Sequence, residues 1–162
     1  MKTLIIPIHS FVDLITNSSS ETYISATSAT VQSVKEIIKN LLSLADSSKT
    51  ADDFFDIDIG YDDVYIDEKL KEFAKSIGIE LGKYNDCFLT ETNINKIKEF
   101  VDNNPDLEDC FEDPRGRESC SSSLVISPKQ DLGSEDSLLA AKIAVSLSKL
   151  INTYSIEARY NG

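Results

Sequence analysis

One histidine, three cysteines and three arginines are all that the 162 residues offer of the side chains that most often carry metal binding, nucleophilic catalysis or phosphate recognition. Cys87, Cys110 and Cys120 are widely spaced and form no Cys-x-x-Cys pair. With His9 as the one imidazole they do not match the ligand spacing of a structural zinc site. Free thiols in a reducing compartment are expected instead. The same shortage leaves a serine or cysteine nucleophile without a base. The nearest set is His9, Asp13 and Ser18 to Ser20, and no Gly-x-Ser-x-Gly elbow presents a serine for attack. Six scattered glycines make no Walker or dinucleotide pattern. The few arginines form no basic cluster, which disfavours direct contact with nucleic acid phosphates. No apolar run approaches the roughly 18–20 residues that cross a bilayer. The opening MKTLIIPIHSFVDL is interrupted by Pro7, His9 and Asp13 and lacks a small-residue cleavage site, so neither a signal peptide nor a membrane contact is expected. The sequence reading is therefore of a non-enzyme, with no catalytic residue, cofactor or metal.

Acid is what the chain has in excess. Twenty-eight acids against 16 bases give a formal charge of -12. Residues 46–68 hold nine acids and one lysine, and residues 102–118 hold seven acids and two arginines; the remaining chain is close to neutral. Such concentrated fields repel anionic polymers and membranes and attract cations or basic surfaces. The plainest expectation is that both runs are solvated loops. The run FFDIDIGYDDVYIDE invites a calcium loop, but counting from Asp56 the sixth position is Tyr61 and the twelfth Asp67, where the loop needs glycine and glutamate. Strand alternation accounts for Asp56 and Asp58 more simply.

Apolar residues make up 41% and charged residues 27%, a globular balance. TLIIPI reads as a strand whose Pro7 belongs at a sheet edge or strand end. TYISA reads as a second strand. A helix capped at Thr27 or Ser28 turns Val31, Val34, Ile38, Leu41 and Ala45 inward, with Ile37, Leu42 and Leu44 widening that face. DSSKTADD reads as a loop. FFDIDI alternates, with Phe55, Ile57 and Ile59 inward and Asp56 and Asp58 outward. Asp67 caps a helix carrying Leu70, Phe73, Ala74 and Ile77, and Gly78 stops it. Short strands are expected at IEL and CFLT. A third helix capped by Thr92 or Asn93 buries Ile94, Ile97, Phe100 and Val101 and ends at Asn103-Asn104-Pro105. After a long acidic connection come the strand SLVIS and a last helix from Ser134, apolar nearly all round and expected at the centre of the core. YSIEARY closes the chain as an alternating strand. With no internal repeat and no linker, this predicts one α+β domain over residues 1–162: about four helices packed on a mixed, largely antiparallel sheet of six or seven short strands.

Ser18 to Glu21 also fits a capping box, although the residues that follow are β-like. More informative is the whole stretch FVDLITNSSSETYI at residues 11–24. Val12, Asp13, Thr16, Asn17, Ser18, Ser19, Ser20 and Glu21, followed by Tyr23-Ile24, resemble an N-terminal motif of uncharacterised tailed-bacteriophage proteins, the crAss-like phages especially. The resemblance covers 14 of 162 residues. It implies phage origin, with the chain in the virion or the host cytoplasm, and carries no fold or activity with it. A motif that heads otherwise unlike proteins suits an address read by a phage structural protein or protease, or a shared folding device. Asn17, Ser18, Ser19, Ser20 and Glu21 are thus one candidate partner-binding set. The other is Asp52, Asp53, Asp56, Asp58, Asp62 and Asp63, whose charge could imitate nucleic acid toward a basic host protein.

Overall fold

The computed structural model describes residues 3–7, 28–115, 117 and 122–150. The Asn17–Glu21 motif and the strands expected at TYISA and YSIEARY lie outside these residues. Among the described residues there are four strands, not six or seven: β1 Leu4–Pro7, β2 Phe55–Tyr65, β3 Asp86–Thr90 and β4 Ser122–Pro128. They are hydrogen-bonded in the order β1-β4-β2-β3. β1 pairs with β4 and β2 with β3, both antiparallel. The helices are α1 Ser28–Leu44, α2 Ala51–Phe54, α3 Lys71–Ser76 entered through a 3-10 turn at Glu68–Leu70, α4 Glu91–Asp102 and α5 Ser134–Leu150, with a further 3-10 helix at Pro105–Cys110. The α+β class follows as the sequence predicted. No described helix is long and apolar enough to cross a membrane.

Two compact units divide the chain. The first comprises the described parts of Met1–Ile59 and Ser123–Gly162. Its core is built by α1 through Val34, Ile38 and Leu42, one residue per turn. These meet Phe54 and Phe55, Leu124 and Ile126 of β4, and Ala140, Ile143 and Leu147 of α5. β1 stands at the end of the strand order and Pro7 at the end of β1, where a missing N–H costs nothing. β4 buries Ser122 through Ile126 without alternation, as a strand covered on both faces does.

Two expectations about α1 are corrected. Leu44 is 84% exposed and Ala45 is exposed, because the helix closes before they can turn inward. The Ser47 N–H bonds the Leu42 carbonyl and the Asp46 N–H bonds the Ser43 carbonyl, with Asp46 left-handed at φ 55. That is a Schellman closure with aspartate where glycine is usual. The expected loop at 46–53 is also partly helix, from Ala51 on. Thr50 and Asp53 form a capping box in which the Asp53 carboxylate accepts from the Thr50 N–H at 2.7 Å and its hydroxyl at 2.9 Å.

The second unit is Gly60–Ser122. Val64 and Ile66, Leu70 and Ala74, Cys87 and Leu89, and Ile94, Ile97 and Val101 are buried in it. Phe73 of α3 stacks on Phe100 of α4 at 3.9 Å between centroids and 8° between planes. Asp67 caps as expected, accepting from the Lys69 N–H at 2.9 Å. Gly78, at φ 82, closes α3 with Gly78 N–H to Lys75 and Ile79 N–H to Ala74. This is why IEL is not a strand: the Ile79 amide is spent on the helix end, and its side chain is buried. α4 begins earlier than expected. Its cap is Thr90, whose hydroxyl accepts from the Asn93 N–H at 3.3 Å, so Thr92 and Asn93 are inside the helix. At its other end Asn103 and Asn104 donate side-chain amides to the Glu99 and Phe100 carbonyls, and the 3-10 helix at Pro105–Cys110 gives order to part of the acidic connection.

These two helix ends make a matched test. Gly78→Ala meets no atom within 4 Å, so its cost is purely that of a left-handed backbone, about 1 kcal/mol. Asp46→Gly removes the same kind of strain and raises stability by about 0.5 kcal/mol. Urea unfolding midpoints of the two variants are expected to move in opposite directions.

Candidate functional site

The acids singled out from sequence all lie in regular elements, Asp56 and Asp58 in the strand expected of them and the others where charge density suggested solvated loop. Asp52 and Asp53 lie in α2, and Asp56, Asp58, Asp62 and Asp63 lie in β2. In the first unit Asp52 is paired with Lys35 at 2.7 Å and Asp56 with Lys129 at 3.6 Å. The hydrogen bond from the Thr50 N–H, seconded by its hydroxyl, holds the Asp53 carboxyl below its ordinary value. Asp58 is half-buried rather than facing outward, and its carboxylate accepts from the Ile59 N–H at 2.8 Å.

In the second unit the pairing of β2 with β3 slips by one residue between Tyr61 and Val64. The extra residue is taken up at Asp62-Asp63, with Asp63 left-handed at φ 52. Aspartate tolerates that region better than most residues, which suits it to position 63. Asp62 is only 7% exposed, and its carboxylate accepts from the Asp63 N–H at 3.0 Å. Of the six acids, Asp52, Asp53, Asp56 and Asp63 are exposed to solvent.

A denser polar cluster, which sequence reasoning missed, sits where β2, α4 and the segment after the 3-10 helix meet in this second unit. Asp113 accepts Arg115 through Nε at 2.9 and 3.0 Å, through Nη2 at 2.6 Å and through its own amide at 3.0 Å. Lys98 of α4 donates to the same carboxylate at 3.1 Å, and Arg115 Nη1 reaches Asn95 at 3.0 Å. Arg115 holds the Asp113 carboxyl far below the usual carboxylate range, and Asp113 in turn raises the Arg115 guanidinium. The Tyr61 hydroxyl donates to Glu91 at 3.4 Å; burial first, and Glu91 second, push the phenol up to about 12. The local signal was Asp113-Pro114-Arg115, a turn in which a guanidinium two residues on can fold back onto the carboxylate.

Cys87 is 1% exposed and its thiol contacts the Val64 carbonyl at 3.4 Å. Burial, and then Asp86, push that thiol up to about 12, so the nucleophilic thiolate does not form near neutrality. The measurable consequence is protection. With the chain folded at pH 8, Cys87 is expected to label with a thiol reagent at least a hundredfold more slowly than half-buried Cys110, read by peptide mass mapping. Equal rates would contradict the buried-thiol assignment.

A shallow groove of about 580 Å³ opens along Lys71 and Lys75 of α3 and residues 78–82. Both lysines face glutamates of the preceding turn, Glu68 at 3.2 Å and Glu72 at 3.5 Å. Asn85 first, then Lys71, hold the Glu68 carboxyl below its ordinary value. Among the described residues no three His, Cys, Asp or Glu side chains gather closely enough to hold a metal ion.

The sequence also understated how much apolar surface the last helix leaves in water. α5 is not buried all round. Ala140, Ile143, Ala144 and Leu147 face the first unit's core, while Leu138 is 59% and Val145 54% exposed on the opposite side. Leu138 and Val145 are seven residues apart, two helical turns, and so share one face. Compared with known proteins, the chain matches no family model, no curated sequence and no solved structure.

Proposed function

We propose that this chain is a non-enzymatic bacteriophage protein that works by protein–protein contact, as a structural or cargo component of the virion. Its phage origin rests on the resemblance of residues 11–24. The contact role is carried by one observation: α5 presents Leu138 and Val145 to solvent on the face opposite its core residues. Each isolated exposed apolar side chain is ordinary, but two on one helical stripe form a surface that gains by being covered. The best-defined polar groups are already spent on local structure: Asp113 on Arg115 and Lys98, Asp53 on Thr50, and Cys87 as a buried thiol. Intact-mass spectrometry of purified particles, with infected-cell lysate alongside, tests the reading. The chain in the particle supports it, and a mass short of the residues through Glu21 would make the serine motif a processing point. A chain found only in lysate overturns the virion role.

The second reading is an inhibitor of a basic host defence protein, acting in the host cytoplasm as a charge mimic. The concentration of nine acids in residues 46–68 favours it, with Asp52, Asp53, Asp56 and Asp63 exposed. Burial of Asp62 and the pairing of Asp52 and Asp56 with lysines weaken that field. Its mark is a complex that dissociates steeply with salt and is abolished by Asp52→Lys with Asp53→Lys. A salt-insensitive complex would exclude it.

A further inference from the structure

We propose that the outer face of α5 is an interface between two copies of this chain, packed antiparallel about a two-fold axis near Lys142. The proposal rests on the protein-contact reading and names the partner. Around the exposed stripe the helix is patterned in sevens. Leu138 and Val145 form the ridge, Ser134, Ala141 and Ser148 flank it on one side, and Glu135, Lys142 and Lys149 flank it on the other. An apolar position alternating with a small one every three to four residues is the seam of a close helix pair, since small side chains let backbones approach.

The charges choose the orientation. Glu135 and Lys149 are centred on Lys142, and Leu138 and Val145 are centred between Ala141 and Lys142. A self-complementary two-fold contact needs its apolar and charged pairs to be centred close together, and these centres are half a residue apart. Laid antiparallel with Leu138 level with Val145 of the second copy, the helices bring Glu135 within one residue of the level of Lys149 of the second copy, twice over. A parallel pair would face the Glu135, Lys142 and Lys149 flank with the Ser134, Ala141 and Ser148 flank of the second copy and form neither ion pair. The antiparallel arrangement also opposes the two macrodipoles. Its cost is Lys142 meeting its own copy at the axis. The ridge is short, so the contact falls below the area of a tight dimer and is expected to be weak.

Sedimentation equilibrium of the full chain from about 10 μM to 1 mM is expected to show monomer and dimer in exchange. Leu138→Asp and Val145→Asp sit at exposed positions, so dilute samples should melt as the wild type does. Both should weaken association at least tenfold. Glu135→Lys should weaken it too, and Glu135→Lys with Lys149→Glu should restore it. A purely local dipole effect would instead make the double variant worse, since both charges then oppose the helix ends. A chain monomeric throughout, a dimer indifferent to Leu138→Asp, or a double reversal no better than the single one overturns the proposal. A monomer still recovered from phage particles would remove the second copy as partner and leave the contact reading standing. A dimer missing from particles would retain the interface and remove the virion role.

Discussion

Replacing Phe54 by alanine is expected to lower stability by about 3–5 kcal/mol, a large part of what a domain of this size possesses. Phe54 has no exposed surface and lies in the first unit's core with Phe55, their ring centroids 6.3 Å apart. Lys49 stands over its ring at 5.6 Å while its ammonium binds Asp136 of α5 at 2.6 Å. The Phe54 carbonyl accepts from the Lys129 N–H at 2.9 Å just after β4. Strand alternation would send one of two adjacent phenylalanines to each face. Here both are buried because Phe54 is the last residue of α2 and Phe55 the first of β2. Truncation opens a cavity at this joint, and the melting temperature should fall by roughly 10 °C. Phe54→Leu, which refills most of the space, should recover more than half of the loss. A change under 1 kcal/mol for Phe54→Ala, measured by urea unfolding, would refute the assigned packing.

Asp113→Ala is the second large effect, about 1–2 kcal/mol at neutral pH, since it leaves Arg115 and Lys98 without their shared carboxylate. The effect is modest because the pair is partly exposed and water screens it. The sign of its pH dependence is determined by the depressed Asp113 carboxyl. A group ionised more easily when folded than when unfolded adds stability above its unfolded value, about 4, and loses it as pH falls through the lower folded value. The gap between wild type and Asp113→Ala should therefore be full at pH 7, shrink steadily below about pH 4 and close only once the pH passes below the depressed folded value. The exposed carboxyls of Asp53 and Glu68 are depressed as well and contribute to the same acid limb, so the comparison is between variants rather than against a flat baseline. A gap that grew on acidification would show that Asp113 is not held ionised by these cations.

Helix interiors were readable because their cause is local. Val34, Ile38 and Leu42, or Ile94, Ile97 and Val101, recur at the helical period, and that recurrence alone makes one face apolar. Gly78 and Asp67 were readable for the same reason, as a left-handed stop and a side-chain cap act within one turn. Boundaries were less legible. Thr90, Thr92 and Asn93 are all competent caps, and the choice fell to Thr90 where β3 ends against β2. The acidic run at 46–68 misled most. Charge density suggested a solvated loop while alternation placed a strand at FFDIDI; the strand is there and runs on to Tyr65 through a bulge at Asp62-Asp63.

From its own residues, then, the chain determined an α+β class, the inward faces of α1 and α4, the closure of α3 at Gly78 and the edge position of β1. Each of these follows from forces between residues a few positions apart. Tertiary structure alone decided that Asp62 would be buried and that Asp113 would gather Lys98. It also decided that α5, apolar nearly all round, would have only one side covered. How much of an apolar helix is buried depends on how many surfaces the fold brings against it. That number belongs to the packing of distant segments, and no local period encodes it.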